Sequence, residues 1–261
     1  MKIVKNMLIA ATLILVSMSC SFSGSLAGHT IQGSKNYVTK EMKMAPYTQI
    51  KLTGSPDVVF TQNSGEPRLK IHTSDNLLDL LDIYVDNQIL HIGFKENVSV
   101  SYDKLTIEAS SPNLNEVSVT GSGEVRITDG LKTDKLNLNV TGSGDIFANQ
   151  STCNQCHLTV TGSGDITLQE LSAHTVQAHI TGSGDIVLQG KAQEATYEVN
   201  GSGDLSASQL HTCHTSAIIT GSGDIQCHAD KELKAIVTGS GSIGYNGNPK
   251  VDTGNKGVYK L

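Results

Sequence analysis

Several groups of residues in this 261-residue chain have types and spacings that could do chemistry. Asp145, Asp165, Asp185, Asp204 and Asp224 recur at steps of 20, 20, 19 and 20 residues, each closing a Gly-Ser-Gly-Asp tetrad, and Glu124 stands one step before them. Brought into register, they would form a ladder of carboxylates. Neighbouring charges in such a ladder repel by roughly 1 kcal/mol in water, and more where water is excluded. Two things could offset that: backbone N–H groups of each glycine corner donating to its own Asp, or a bound Ca²⁺, which favours oxygen ligands. Cys153-x-x-Cys156-His157 has the spacing of a haem attachment, a redox dithiol or part of a metal site. His211-x-Cys213-His214 is a second dense patch. Cys20 directly follows an apolar run.

Each of these has a plainer reading. Hydrogen bonding is the simpler account of the Asp ladder. Calcium-binding nonapeptide repeats carry their Asp at a step of about nine, far from the step seen here. No βαβ unit accompanies the Cys-x-x-Cys to make it thioredoxin-like, and an outer turn offers no apolar pocket for a haem. A local disulfide or two free thiols remain. By repeat position, Cys153, His174, Glu194 and Cys213 are expected on successive coils. The two Cys then lie about three coils apart at roughly 4.8 Å each, too far for one tetrahedral zinc. The alternating side chains of His211-x-Cys213-His214 point to opposite faces. Cys227 falls on the inward phase and reads as a small core residue.

The elements that must position these residues are repeats. TGSGEV at 120–125, TGSGDI at 141–146, 161–166, 181–186 and 220–225, NGSGDL at 200–205 and TGSGSI at 238–243 step by 21, 20, 20, 19, 20 and 18 residues. Period-2 apolar runs flank every copy, such as Leu136-x-Leu138-x-Val140 before and Ile146-x-Ala148 after. Leu131, Leu171, Leu210 and Leu233 supply a further apolar residue between copies. Alternation of this kind marks strands, and Gly-Ser-Gly marks a sharp corner whose glycines are free to take positive φ. A unit of about 20 residues cannot bury its own apolar face, but stacked units can. A propeller blade needs about 40 residues. The expected fold is therefore all-β: a right-handed, single-stranded parallel β-helix of about 20 residues per coil, its hand taken from the crossover rule. A less regular N-terminal β portion precedes it.

In that N-terminal portion TGSPDV at 53–58 is a degenerate copy of the repeat, read as the opening coil. Strands are expected at Leu69-x-Ile71, Ile83-x-Val85, Leu90-x-Ile92, Val98-x-Val100 and Leu105-x-Ile107. Asp75 or Asn76 could cap one helical turn before the leucines at 77, 78, 80 and 81. Asp86-Asn87 reads as a hairpin turn.

At the start of the chain, Lys2 and Lys5 precede an apolar run from Met7 to Val16, too short to span a bilayer and suited to an export signal. Ser17-Met18-Ser19-Cys20 resembles a relaxed lipobox with Cys20 as the lipidated residue. Ser25-Leu26-Ala27 is the competing cleavage site. Loss of residues 1–19 leaves 17 basic and 25 acidic residues, a formal charge of −8. Without a basic cluster, and with aromatics at only 4%, nucleic-acid binding is not expected. Arg68 and Arg126 are the only arginines. The Asp ladder thus lacks the basic partners that glycan-cleaving β-helices need, and no nucleophile elbow accompanies the abundant Ser and His.

The order Ile50…Val58-x-Phe60, Leu90-x-Ile92, Leu105-x-Ile107, Pro112-x-Leu114 and then V-x-V-T-G-S-G-[DE]-[IV] resembles the head-GIN-domain family. These are proteins of Bacteroidetes-type bacteria, named for an inferred auto-transporter adhesin role. The resemblance spans about residues 37–245. It implies an exported or lipid-anchored all-β protein and brings no catalytic residues.

Together these readings divide the chain into a lipoprotein signal (1–19), a tether and lead-in (20–46), an irregular β portion (47–115), the regular GSGD β-helix (116–245) and a C-terminal cap (246–261). They predict a non-enzymatic cell-envelope lipoprotein, an adhesin or binding scaffold with a repetitive polar surface. The alternatives are a periplasmic structural or envelope-stress accessory protein and a carbohydrate-active enzyme on the same fold. The expected partners are a glycan, a cell-surface protein or further copies of the chain, with membrane contact only through the lipid on Cys20 and no nucleic acid. The expected place is the outer membrane, with the face open. No cofactor is expected, Ca²⁺ on the Asp ladder being the one candidate.

Overall fold

The computed structural model describes residues 30–254 and 256–261. The lipobox, Cys20 and the competing cleavage site lie outside the described residues. The rest is a β-solenoid with two long sheets facing each other across a filled core, plus a less regular N-terminal β part.

Within the repeats, the strand before each glycine corner enters one sheet and the strand after it enters the other. Lys135–Gly142, Gln155–Gly162, Thr175–Gly182, Glu194–Gly201, His214–Gly221 and Glu232–Gly239 pair in parallel, each with its equivalent one coil away. Asp145–Thr152, Ile166–Ser172, Ile186–Lys191, Leu205–His211, Ile225–His228 and Ile243–Asn246 do the same opposite. Parallel pairing in register keeps every inward side chain above its counterpart. One inward column runs Val119, Val140, Val160, Ile180, Val199, Ile219, Val237. Another runs Leu158, Ala178, Tyr197, Ala217, Ala235, where two alanines make room for the fully buried Tyr197. Volume is conserved between coils, as a close-packed interior requires.

The uneven steps are absorbed away from the corners. The glycines stay in register throughout, while the coil that is one residue short shifts register between Leu168 and Leu171, where Gly190 takes the place opposite Leu171. The further apolar column accordingly reads Leu131, Ser151, Leu171, Gly190, Leu210. Leu233 does not belong to it. It lies in the column of Val176, Ala195 and Thr215, because its strand begins at Glu232.

The N-terminal portion has a different order in space than in sequence. Gln49–Gly54 and Asp57–Gln62 form a coil whose Gly54 pairs with Gly121, which places TGSPDV in register with the repeats. This coil is not terminal. Ile89–Phe94 and Leu105–Ser111 stack on its far side, so the chain builds an outer layer and then returns past the coil to Glu116. Beyond that layer pairing turns antiparallel: Leu81–Asp86 closes one sheet, and Arg68–Ser74 then Tyr37–Lys43 close the other. A short helical turn, Asp75–Leu78, buries Leu77; Ser74 rather than Asp75 or Asn76 occupies its N-cap position, without a side-chain cap. The hairpin turns at Asn87-Gln88, with φ of 47° and 63°. Two left-handed residues match the strand twist of a two-residue loop, which moves the turn one residue on from Asp86-Asn87.

Candidate functional site: the glycine corner

The corner is the one feature repeated in every regular coil, and its two glycines do different work. The first lies in the left-handed region, as at Gly162 with φ +124°, where a side chain is strained. The second is needed for space: a Cβ on Gly164 would stand 2.0 Å from the carbonyl oxygen of Gly144 and 2.8 Å from Val140 Cγ1. Stacked corners are in backbone contact at this point. The Gly142 carbonyl accepts two N–H groups from the next coil, Ser163 at 2.8 Å and Gly164 at 3.1 Å, and the Gly162 carbonyl repeats the pattern with Ser183 and Gly184. Pro56 takes the second-glycine place in the coil of Gly54, where no glycine corner lies beneath it.

The Asp residues meet at the corner as a ladder. Asp145 Oδ1 accepts from the Asp165 N–H at 2.9 Å, Asp165 from Asp185 at 2.8 Å, Asp185 from Asp204 at 2.8 Å and Asp204 from Asp224 at 2.9 Å. Each carboxylate therefore binds the backbone of the next coil, not that of its own corner. The last copy, with Ser242 in place of Asp, ends the chain of contacts: its N–H and hydroxyl both donate to Asp224 Oδ1. At the other end Asp57 accepts from Glu124 N–H, while Glu124 turns to Arg126 at 2.6 Å and leaves the Asp145 N–H to the Gly123 carbonyl. Partial burial raises the Asp165 carboxyl above the ordinary aspartate range, the charges of Asp185 and Asp145 add to this, and the Asp185 N–H counteracts it.

Ca²⁺ takes roughly six to eight oxygen ligands. Here each coil brings one carboxylate whose Oδ1 is already bonded, and no group of three or more His, Cys, Asp or Glu able to hold a metal occurs among the described residues. Flanking the Asp ladder, Thr141, Thr161, Thr181 and Thr220 form an exposed column that half-buried Asn200 interrupts between the last two, and Ser143, Ser163, Ser183, Ser202 and Ser222 form another. These columns were written in the TGSGD motif itself. The sequence predicts repetitive polar faces of this kind, and their register on either side of the Asp ladder comes from the stacking of corners.

The cysteines fall otherwise than the repeat count suggested. Cys153 shares a level with Ala173, Ala192 and Thr212; Cys213 stacks with Gln193, His174 and Asn154; Glu194 pairs with Thr175 and His214. The expected single column is thus three columns, since Glu194 lies in the 19-residue coil and Cys153 stands one residue nearer its preceding corner than His174 does. Cys213 Sγ donates to Gln193 Oε1 at 3.5 Å. Cys153 and Cys156 are both buried free thiols. A hydrogen bond from Cys156 lowers the Cys153 thiol, and the same bond together with burial raises Cys156. Cys227 is fully buried, and burial pushes its thiol up to about 12. His211 lies against His228, ring centroids 4.3 Å apart, and His228 Nε2 lies 3.0 Å from Asp230 Oδ1.

Residues 46–249 match the sequence model of the family described as "Putative auto-transporter adhesin, head GIN domain". The chain belongs to this family. Among solved structures, a "putative adhesin" from Parabacteroides merdae superposes with a TM-score of 0.83 at 28% identity, covering 89% of this chain and 99% of that one. A "putative lipid binding protein" from Parabacteroides distasonis gives 0.84 at 27%, with the same coverage of 89% and 99%. A "putative adhesin" from Bacteroides fragilis gives 0.66 at 28%, covering 88% and 95%. No curated protein matches. None of these descriptions names an enzymatic activity. Among the described residues, no helix of this head GIN protein is long and apolar enough to cross a membrane.

Proposed function

We propose that this head GIN protein is a non-enzymatic cell-envelope lipoprotein, an adhesin or binding scaffold held to the outer membrane by a lipid on Cys20. The observation that carries the reading is the run of in-register Thr, Ser and Asp columns along one edge of the solenoid. A stiff array with a rise of about 4.8 Å per coil presents the same weak polar contact many times. Its partner would be a glycan, a surface protein or another copy of the chain, bound through avidity and not through one pocket. The family description supports an envelope or surface setting.

The test is protease digestion of intact cells beside a lysed control, with metabolic lipid labelling of the wild type and Cys20→Ser. Label lost with Cys20→Ser and digestion on intact cells are the expected results. Protection until the outer membrane is broken would end the adhesin reading and leave the periplasmic accessory role. Label retained in Cys20→Ser would end the lipoprotein reading.

A further inference from the structure

Away from the corner ladder, the outward face of the N-terminal strands forms a groove of ≈ 470 Å³. This is within the size range of small-ligand clefts. Two rows of side chains cross it. Antiparallel register sets Lys43 opposite Arg68 and Arg68 opposite Ser110, and parallel register sets Ser110 beside Thr61. The adjoining row reads Glu41, Lys70, Glu108, Val59 by the same pairings.

The second row pairs its cation within the row: Lys70 Nζ lies 3.2 Å from Glu108 Oε1, with Glu41 a further acid. The first row does not. Like charges directly opposite on paired strands are destabilising, and Lys43 faces Arg68. Lys43, at the groove's edge strand, pairs with Glu66 at 2.7 Å. Among the described residues the Arg68 guanidinium has no hydrogen-bond or ion-pair partner, and the Ser110 and Thr61 side chains stand beside it in the row. A rigid fork of donors with nothing to bind, next to two hydroxyls, is the geometry that takes a planar carboxylate in bidentate fashion.

From this we infer that the groove binds a carboxylate-bearing sugar of an acidic glycan. Arg68 holds the carboxylate, Ser110 and Thr61 lie beside it, and Glu41 and Glu108 accept from ring hydroxyls. Val59 offers an apolar floor for a sugar face. The two acidic side chains select against a densely anionic surface, which would bring further negative charge against them. An anionic bilayer fits poorly for a second reason: none of the exposed large apolar residues (Ile31, Tyr84, Tyr259, Leu261) lines the groove. The inference stands apart from the Thr, Ser and Asp columns, which are elsewhere on the solenoid.

The test is calorimetric titration of the folded protein with trigalacturonate, its methyl ester, sialyllactose and phosphatidylserine vesicles. Arg68→Met, Arg68→Lys and, as a control outside the groove and the columns, Gln209→Ala are compared with the wild type. At least one free acid should bind. Arg68→Met should weaken it by about tenfold or more, the worth of a charge-assisted contact, and Arg68→Lys by less. Where trigalacturonate is the acid that binds, its ester should bind as weakly as the acid does to Arg68→Met. Gln209→Ala, exposed and outside both the groove and the columns, should bind as the wild type, and the melting temperature of Arg68→Met should not fall, since Arg68 is exposed, unpaired and opposite Lys43. Acid and ester binding alike, binding unchanged in Arg68→Met, no binding of either acid, or Arg68-dependent binding of vesicles alone would each overturn the inference.

Discussion

Replacing Gly184 by alanine tests the stacking of corners most directly. A Cβ there would stand 2.1 Å from the Gly164 carbonyl oxygen and 2.9 Å from Val160 Cγ1, where real Cβ contacts essentially never fall under 3.0 Å. The neighbouring coils must therefore part locally by about 0.9 Å. Two hydrogen bonds cross that gap, from Ser183 N–H to Gly162 O at 2.8 Å and from Gly184 N–H to the same oxygen at 3.1 Å. Opening by that amount takes both beyond hydrogen-bonding range. Their loss costs about 1–3 kcal/mol together, and overpacking adds about 1–3 kcal/mol more. The lower entropy of an unfolded alanine returns only about 0.4–1 kcal/mol. The net expectation is a destabilisation of about 1–5.5 kcal/mol, or ~2–20 °C in melting temperature for a chain of this size.

Urea and thermal unfolding of Gly184→Ala beside Ser183→Ala provide the measurement. The serine is exposed and its change should stay within about 0.5 kcal/mol. Because a solenoid couples mainly neighbouring coils, amide exchange in Gly184→Ala should accelerate first in strands Gln155–Gly162 and Thr175–Gly182, whose coils part, and least in Tyr37–Lys43. A Gly184→Ala protein as stable as Ser183→Ala would refute the close-approach account of the second glycine.

Asp185→Ala should cost about 1 kcal/mol by leaving the Asp204 N–H without its acceptor, whereas Asp185→Asn keeps an oxygen in place and should be neutral or slightly stabilising; a melting temperature that falls on chelation would instead revive the cation ladder. For Asp165 the sign is set by a folded pKa above the unfolded one: its contribution favours the fold below the unfolded value, 3.8, and is lost as pH rises through the raised value. Melting curves of Asp165→Asn should therefore lack a decline that the wild type shows in this window. Asp75 runs the other way, since hydrogen bonds from Ser34 and Asn36 lower its carboxyl, so its contribution is present above 3.8 and lost as pH falls; Asp75→Asn should flatten that acid limb. Iodoacetamide at neutral pH should label partly exposed Cys213 first and reach Cys156 and Cys227 only on denaturation, as mass spectrometry of timed samples would show.

Much of the solenoid was legible because two local signals agree in every coil. Alternation sends Leu136, Leu138 and Val140 inward, and Gly142 and Gly144 turn the chain at the same phase each time. Neither signal needs knowledge of a distant partner. What was not legible depends on pairing. The strands at Leu69–Ile71 and Ile83–Val85 are where alternation puts them, yet nothing local says that they pair antiparallel or that the outer layer lies on the far side of Gln49–Gln62. The bond from Asp165 to the Asp185 N–H lies between coils, so a motif read one copy at a time assigns it to its own corner. Glu194 was misplaced because its coil is one residue short while the corners keep register, and Cys153 because it stands one residue nearer its preceding corner than His174 does. The Arg68 groove was hidden because Lys43 and Arg68 face each other only once two strands far apart in sequence pair.

The departure from simple coiling at the N terminus bears on how the molecule avoids polymerising. A parallel solenoid that merely stopped would offer two open edges in the register of its own next coil, a template for end-to-end pairing. At the N-terminal end both sheets finish in antiparallel pairs: the Leu81–Asp86 edge runs against the repeats, whereas Tyr37–Lys43, two antiparallel steps out, runs with them again. One of these strands carries exposed Lys40, Glu41 and Lys43, and the other exposed Asp82 and Asp86. At the C-terminal end the edges are short, Lys250–Thr253 and Val258–Lys260, with lysines in both. Charged and shortened edges of this kind discourage strand addition. Any assembly of copies of this chain should then be lateral and not by stacking ends. Lateral packing keeps the Thr, Ser and Asp columns parallel between copies, so the valency of the polar array would grow with each one added.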